Sequence, residues 1–182
     1  MTKPSDLELV QQVRSGNRPA YTHLMQRYLP QVYWIARRLT GSHREADEIA
    51  RETFVKAYLG LGDFRNDSIF LLWLYRIAIS LSFNAVRKRH LVGYIRESDL
   101  LNRFLPPSDN SPGTVESWEK ESRLHRAIAG LPEKQKALFV MRWFDDLTYE
   151  EISAVLNASG SGLQRSYIHA LRKVKEYLRD EA

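Results

Sequence analysis

The sequence predicts an all-α chain of two helical domains joined by a flexible linker, the second domain a helix-turn-helix. Three observations carry this. Apolar residues recur at helical spacing in one segment after another, and no stretch keeps the period-two alternation of a strand. Three segments open on a Ser/Thr-x-x-Glu signature, in which a hydroxyl and a carboxylate each satisfy an orphan backbone N–H. One cluster of breakers, Pro106-Pro107-Ser108-Asp109-Asn110-Ser111-Pro112-Gly113, divides the chain.

Ser5-Asp6-Leu7-Glu8 opens a short helix with Leu7, Val10 and Val13 on its buried side, ending at Gly16. Asn17 is placed to cap the next helix, whose stripe runs Tyr21, Leu24, Met25, Tyr28, Val32, Ile35, Ala36 and Leu39 to a stop at Gly41. Pro30 falls inside that stripe, so a kink or two abutting helices are expected. Ser42-His43-Arg44-Glu45 opens a helix over about Arg44 to Leu61, with Ala46, Ile49, Ala50, Thr53, Phe54, Ala57 and Tyr58 inward and an acidic outer face. After the loop Asp63 to Ser68, a long helix covers about Ile69 to Arg89. From Leu91 to about Glu116 the helical period fades, and it returns with Trp118, Leu124, Ala127 and Ile128. The implied division is 1–91, a linker over 92–114, and 115–182.

The C-terminal part is the most informative. Pro132 favours a helix start, having no N–H to leave unpaired. Leu138, Phe139, Val140, Trp143 and Phe144 make that helix strongly apolar, and Asp145-Asp146 break it. Thr148-Tyr149-Glu150-Glu151 is the third capping signature, ahead of Ile152, Val155 and Leu156. After Asn157 to Gly160 a third helix starts near Ser161, with Leu163, Tyr167, Ala170, Leu171 and Val174 inward. Two helices across a tight polar turn, the second basic and amphipathic, describe either a helical hairpin or a helix-turn-helix whose second helix enters the major groove.

Composition narrows the function classes. There are 27 basic and 22 acidic residues among 182, a formal charge of +5, which suits an anionic partner such as nucleic acid. With no cysteine, disulfides and thiolate metal sites are excluded. The five histidines show no ligand spacing, and no phosphate loop or nucleophile motif appears. No apolar run approaches the ~18–20 residues of a membrane helix, and Asp6 and Glu8 stand where a signal peptide would be basic and then apolar. A cytoplasmic protein that is not an enzyme, without a cofactor, metal, small-molecule substrate or membrane insertion, is expected.

Leu131-Pro132-Glu133-Lys134-Gln135 followed by Leu147-Thr148-Tyr149-Glu150-Glu151-Ile152 resembles the promoter-reading C-terminal domain of bacterial sigma factors, in the extracytoplasmic-function (ECF) branch. The N-terminal half agrees. Asp6 to Val10, Gly16-Asn17 and Tyr28-Leu29-Pro30-Gln31-Val32-Tyr33 resemble the opening of the same branch. Ala46-Asp47-Glu48-Ile49 with Glu52-Thr53-Phe54 resembles the segment that grips the clamp helices of RNA polymerase. Phe64-Arg65 with Phe70 and Trp73 to Ala78 resembles the segment that melts and reads the minus-ten element.

The resemblance implies an alternative sigma factor whose partners are core RNA polymerase (clamp helices and flap), promoter DNA and an anti-sigma factor. It implies polymerase binding at Glu48, Arg51, Glu52 and Lys56, and minus-ten contacts at Phe64, Arg65, Asn66, Asp67, Ser68, Arg76, Arg87 and Lys88. Minus-thirty-five contacts would fall at Ser161, Gln164, Arg165, His169, Arg172 and Lys173. The connector around Leu100 to Val115, with Asp99 and Asp109, would thread the polymerase cleft. The chemistry is coherent: aromatic faces return roughly 1–3 kcal/mol per stacked base, against a few kcal/mol to flip one. Phe64, Phe70 and Trp73 are equally read as core, Trp73 most readily.

Two departures from the family pattern stand out. Gln164 and Ser166 occupy recognition-helix positions that are commonly basic, and Gly160 and Gly162 loosen its start, which implies a weaker phosphate grip. Leu72, Ile79, Phe83 and Val86 add a second apolar stripe to the Ile69–Arg89 helix, and Ser80 and Asn84 replace a common Asn and Asp. A helix apolar nearly all round is buried or covered, so this face is expected to be hidden by an anti-sigma factor or by the chain's own second domain. Two other readings stay open: a sigma homologue or helix-turn-helix regulator that does not melt DNA, and an all-helical metal enzyme using Glu45, Glu48 and Glu52.

Overall fold

The computed structural model describes residues 4–65, 69–93 and 123–180, and every regular element among them is helical. In the first half α1 spans Asp6–Arg14, α2 Pro19–Thr40 and α3 His43–Leu59; after a 3-10 turn at Leu61–Asp63, α4 runs Phe70–Gly93. The second half comprises α5 (residues 123–129), α6 (Glu133–Phe144), α7 (Tyr149–Leu156) and α8 (Gly160–Asp180). Residues 94–122 lie outside the described residues, and with them most of the stretch read as a linker, 92–114, and the start of the second domain at 115–122 with Trp118.

Two of the three capping boxes close on both sides. The Ser5 N–H donates to the Glu8 carboxylate at 2.7 Å and the Glu8 N–H returns to the Ser5 hydroxyl at 3.3 Å. The Ser5 N–H, and after it the Ser5 hydroxyl donating at 2.9 Å, hold the Glu8 carboxyl below its ordinary pKa. Thr148 and Glu151 exchange the same pair of backbone hydrogen bonds at the start of α7, at 2.8 and 3.2 Å. At α3 only half the box forms. Ser42 accepts from the Glu45 N–H, but the Glu45 carboxylate turns to Arg89 on α4 at 2.9 Å, because a charged partner outcompetes a backbone N–H. Asn17 does not cap α2 either. Its side-chain amide donates to Gln12, and Arg18 precedes Pro19, which needs no cap at the first helical position.

Helix α2 is one element through Pro30, rather than two abutting ones. Pro30 and Gln26, whose carbonyl loses its helical donor, are both exposed, so water can satisfy the orphan. The stop at Gly41 has φ +75°, a backbone that only glycine adopts without strain.

In the first half α2, α3 and α4 pack mutually and α1 crosses α2, where Asp6 accepts from Arg27 and from the Tyr28 hydroxyl. Burial, with that carboxylate beside it, pushes the Tyr28 phenol up to about 12. Leu24, Val32, Ile35, Ile49, Phe54 and Leu74 fill the centre, and Tyr58, read as inward, is partly exposed. In the second half Ile128, Leu138, Phe139, Ile152, Leu163 and Val174 join α5–α8.

The two halves touch. Helix α4 lies against α7 and α2 against α6, and their buried apolar residues run into one cluster. Leu72, Tyr75, Arg76 and Ile79 share one face of α4. Arg76 reaches α7, Tyr75 reaches the end of α6, and Leu72 and Ile79 beside them are 8% and 4% exposed. Leu72 and Ile79 of the second apolar stripe thus lie on the face that meets the chain's own second domain, while Phe83 is half-buried and Val86 is buried.

Candidate nucleic-acid interface

The clearest candidate surface is on α8. Ser161, Gln164, Arg165, His169, Arg172 and Lys173 are all exposed and follow helical spacing along one face, opposite buried Leu163, Ala170 and Val174. The helix is held from behind by Tyr167, which stacks on Phe139 (centroids 6.0 Å apart) and meets Tyr149 edge-on. Arg142 lies 5.6 Å over the Tyr149 ring. The turn from α7 is set by Asn157 in the left-handed region (φ +50°), which asparagine tolerates better than most residues.

The second surface lies at the start of α4. The Phe64 ring is 5% exposed and packs on Phe70 and Trp73 at 5.3 and 5.2 Å. Phe64, read as a possible base-stacking group, is therefore a core ring with no open face. Its burial aims the chain outward at Arg65, which is exposed; Asn66, Asp67 and Ser68 lie outside the described residues.

The backbone there is fixed by a residue that sequence reading missed. Arg14 on α1 donates to the Leu61 carbonyl (3.1 and 2.9 Å), to Gly62 at 3.3 Å and to Phe64. One planar guanidinium thus collects the carbonyls of the 3-10 turn and its exit, joining the Phe64 N–H that already donates to Leu61. Arg14→Ala is expected to cost about 1–3 kcal/mol, chiefly for the part-buried Phe64 carbonyl left without this donor, with helical content retained. Urea denaturation followed by circular dichroism checks it.

On α3, Glu48, Arg51, Glu52 and Lys56 are exposed on one face, with Lys56 paired to Glu52 at 3.2 Å. The same face carries Val55 and Leu59, exposed by 58% and 77%. The apolar i, i+4 pair inside an outward charged stripe was the available signal for them. Glu45 is engaged by Arg89, and among the described residues no group of three or more His, Cys, Asp or Glu is placed to hold a metal ion.

Arg76, Arg87 and Lys88 project from α4, but two of the three are committed to the second half. Arg76 donates through two nitrogens to the Ala154 carbonyl at 2.9 and 2.7 Å. Arg87 grips both carboxylate oxygens of Glu133 at 3.0 and 2.6 Å, and this hydrogen bonding holds the Glu133 carboxyl below its ordinary pKa. A third tie, also unforeseen, is Arg38 on α2. Its guanidinium sits 4.2 Å over the Phe144 ring and 3.4 Å from Asp145. Burial raises the Asp145 carboxyl pKa against the pull of Arg38, and burial pushes up the phenol of Tyr75 beside it.

An all-α chain whose second half is a helix-turn-helix with an exposed, basic outer helix has the build of a DNA-binding protein. The description Sigma-70 region 2 matches residues 24–91, and Sigma-70, region 4 matches residues 121–174. The chain is 33% identical to the RNA polymerase sigma-H factor of Pseudomonas aeruginosa, over 95% of this chain and 93% of that one. It is 32% identical to the ECF RNA polymerase sigma-E factor of Escherichia coli K12 (93% and 91%) and 28% identical to SigW of Bacillus subtilis (94% and 95%). The chain belongs to the ECF sigma factors.

Solved structures share the fold. CnrH, in complex with the cytosolic domain of CnrY, superposes with a TM-score of 0.73 at 21% identity, over 97% of this chain and 99% of that one. The sigma factor RpoE of Bartonella quintana, in complex with the anti-sigma factor NepR, gives 0.68 at 19% identity, over 87% and 96%. Among the described residues no helix is long and apolar enough to cross a membrane.

Proposed function

We propose that this chain is an alternative sigma factor that binds core RNA polymerase and directs it to a set of promoters. The observation that carries the reading is the order of the two matched regions, each presenting an exposed polar face where the family resemblance places contacts. Residues 1–91 dock on the polymerase clamp through the α3 face and open the minus-ten region through Arg65, the loop beyond it, Arg76, Arg87 and Lys88. Residues 115–182 read the minus-thirty-five element through α8 and contact the flap, and 92–114 connects them. The protein catalyses no reaction itself and acts in the cytoplasm.

An anti-sigma factor is a further partner, supported by the two solved neighbours, each a complex with another protein. Burial of Leu72 and Ile79 within the chain accounts for the unusual stripe on α4. That favours a working sigma factor over a homologue that has lost melting. Run-off transcription on genomic fragments, with core polymerase alone and with the protein added, tests the reading. New start sites are expected only with the protein, and their absence would count against it. Arg165→Ala is expected to cost roughly 1–3 kcal/mol at the upstream element, read as a shifted promoter profile with minus-ten opening retained.

A further inference from the structure

We propose that Ile69 is the wedge that enters the first base step when the promoter duplex opens at the minus-ten region. The inference rests on the proposed minus-ten role of this surface and assigns it the side chain that starts the opening.

The aromatic rings nearest the loop of residues 66–68 are already engaged. Phe64 and Phe70 are 5% and 1% exposed, so neither offers a face to a base. Trp73 is half-buried against both, at centroid distances of 5.2 and 5.7 Å. Unstacking a base step is costly, so another apolar group has to take the place of the lost stacking.

Ile69 is placed to do this. The Phe64 and Phe70 rings meet at 5.3 Å, which pins the two ends of the loop together. Arg65 follows one ring and Ile69 precedes the other, so a cation and an apolar side chain flank the mouth of the loop. Both are exposed, Ile69 by 54%. Proteins that kink DNA combine these two groups: the cation holds the strand while an aliphatic side chain enters between two bases.

The same residue breaks a local rule. The Ile69 carbonyl accepts the first hydrogen bond of α4, from the Trp73 N–H at 3.2 Å, which puts Ile69 at the capping position. Ser, Thr, Asn or Asp would satisfy an orphan N–H there, whereas isoleucine has no acceptor to offer and is among the poorest caps. A large apolar side chain that is exposed and also weakens its helix is the mark of a contact made outside the free protein.

The test uses the full chain with core polymerase on a promoter found by run-off transcription. That promoter is supplied as closed duplex and with a mismatched bubble across the minus-ten region. Ile69→Ser is expected to melt at a higher temperature than wild type, because serine caps α4. On the duplex it should nevertheless slow the appearance of permanganate-reactive thymines about tenfold. On the bubble, where no step remains to be separated, its run-off yield should match wild type. Ile69→Met, which keeps an aliphatic side chain, should recover most of the opening rate. Wild-type opening by Ile69→Ser overturns the proposal. So does an equal loss on duplex and bubble, which would make Ile69 a contact to the opened strand instead. A wild-type chain that yields transcripts from neither template removes the minus-ten reading itself, and this inference with it.

Discussion

Phe70→Ala is expected to destabilise the protein by roughly 3–5 kcal/mol, the range for a large aromatic removed from a packed interior. Phe70 is 1% exposed and meets Tyr28, Phe64 and Trp73 at centroid distances of 5.7, 5.3 and 5.7 Å. No neighbour can fill the space without giving up its own contacts, so the cavity persists. The functional loss follows, because the Phe64 ring rests on Phe70 and sets the direction in which Arg65 leaves the core. Urea denaturation gives the stability change. Permanganate reactivity of promoter thymines, at a temperature where the variant is still folded, gives the opening defect. A cost below about 1 kcal/mol would show that the aromatic cluster does not pack as described.

The second large effect is on polymerase binding. Val55→Asp combined with Leu59→Asp is expected to lower affinity for core polymerase about 100-fold or more, with unfolding changed by no more than about 0.5 kcal/mol. The two side chains are the apolar centre of an otherwise charged face, and a carboxylate forced into a desolvated contact finds no partner there. Glu48, Arg51, Glu52 and Lys56 around them are exposed charges that would form the rim of the proposed contact, so their removal is expected to shift association rate and salt dependence more than final affinity. Anisotropy titration with purified core enzyme decides. Wild-type affinity in the double variant would move the docking surface elsewhere.

Most of the architecture was legible because helices are local objects. The capping residues at Ser5 and Thr148 lie three positions from their partners, and the stripes of α2, α3 and α8 repeat within a turn. What escaped was long-range. Glu45 satisfies the three-residue signature, but its carboxylate answers to Arg89, 44 positions away. Arg14 reads as an ordinary last-turn cation, and only the fold brings the carbonyls of Leu61 to Phe64 beneath it. The sequence could say that the Leu72–Ile79 face must be covered, since exposed apolar stripes are costly, and it allowed a partner or the second domain. Choosing between them took the position of α7. Phe64 stayed open between core and base contact for a related reason: an aromatic beside a polar loop has the same local pattern whether its ring is stacked inside or offered outside.

Helix α7 has eight residues, fewer than the ~12–15 that persist unaided in water. It therefore needs its contacts with α6 and α8 to persist, whatever its capping box contributes. The tilt of α8 is accordingly inherited from how Phe139, Tyr167 and Leu163 dock, and if α8 reads the upstream element as proposed, promoter choice depends on interior side chains that never meet a base.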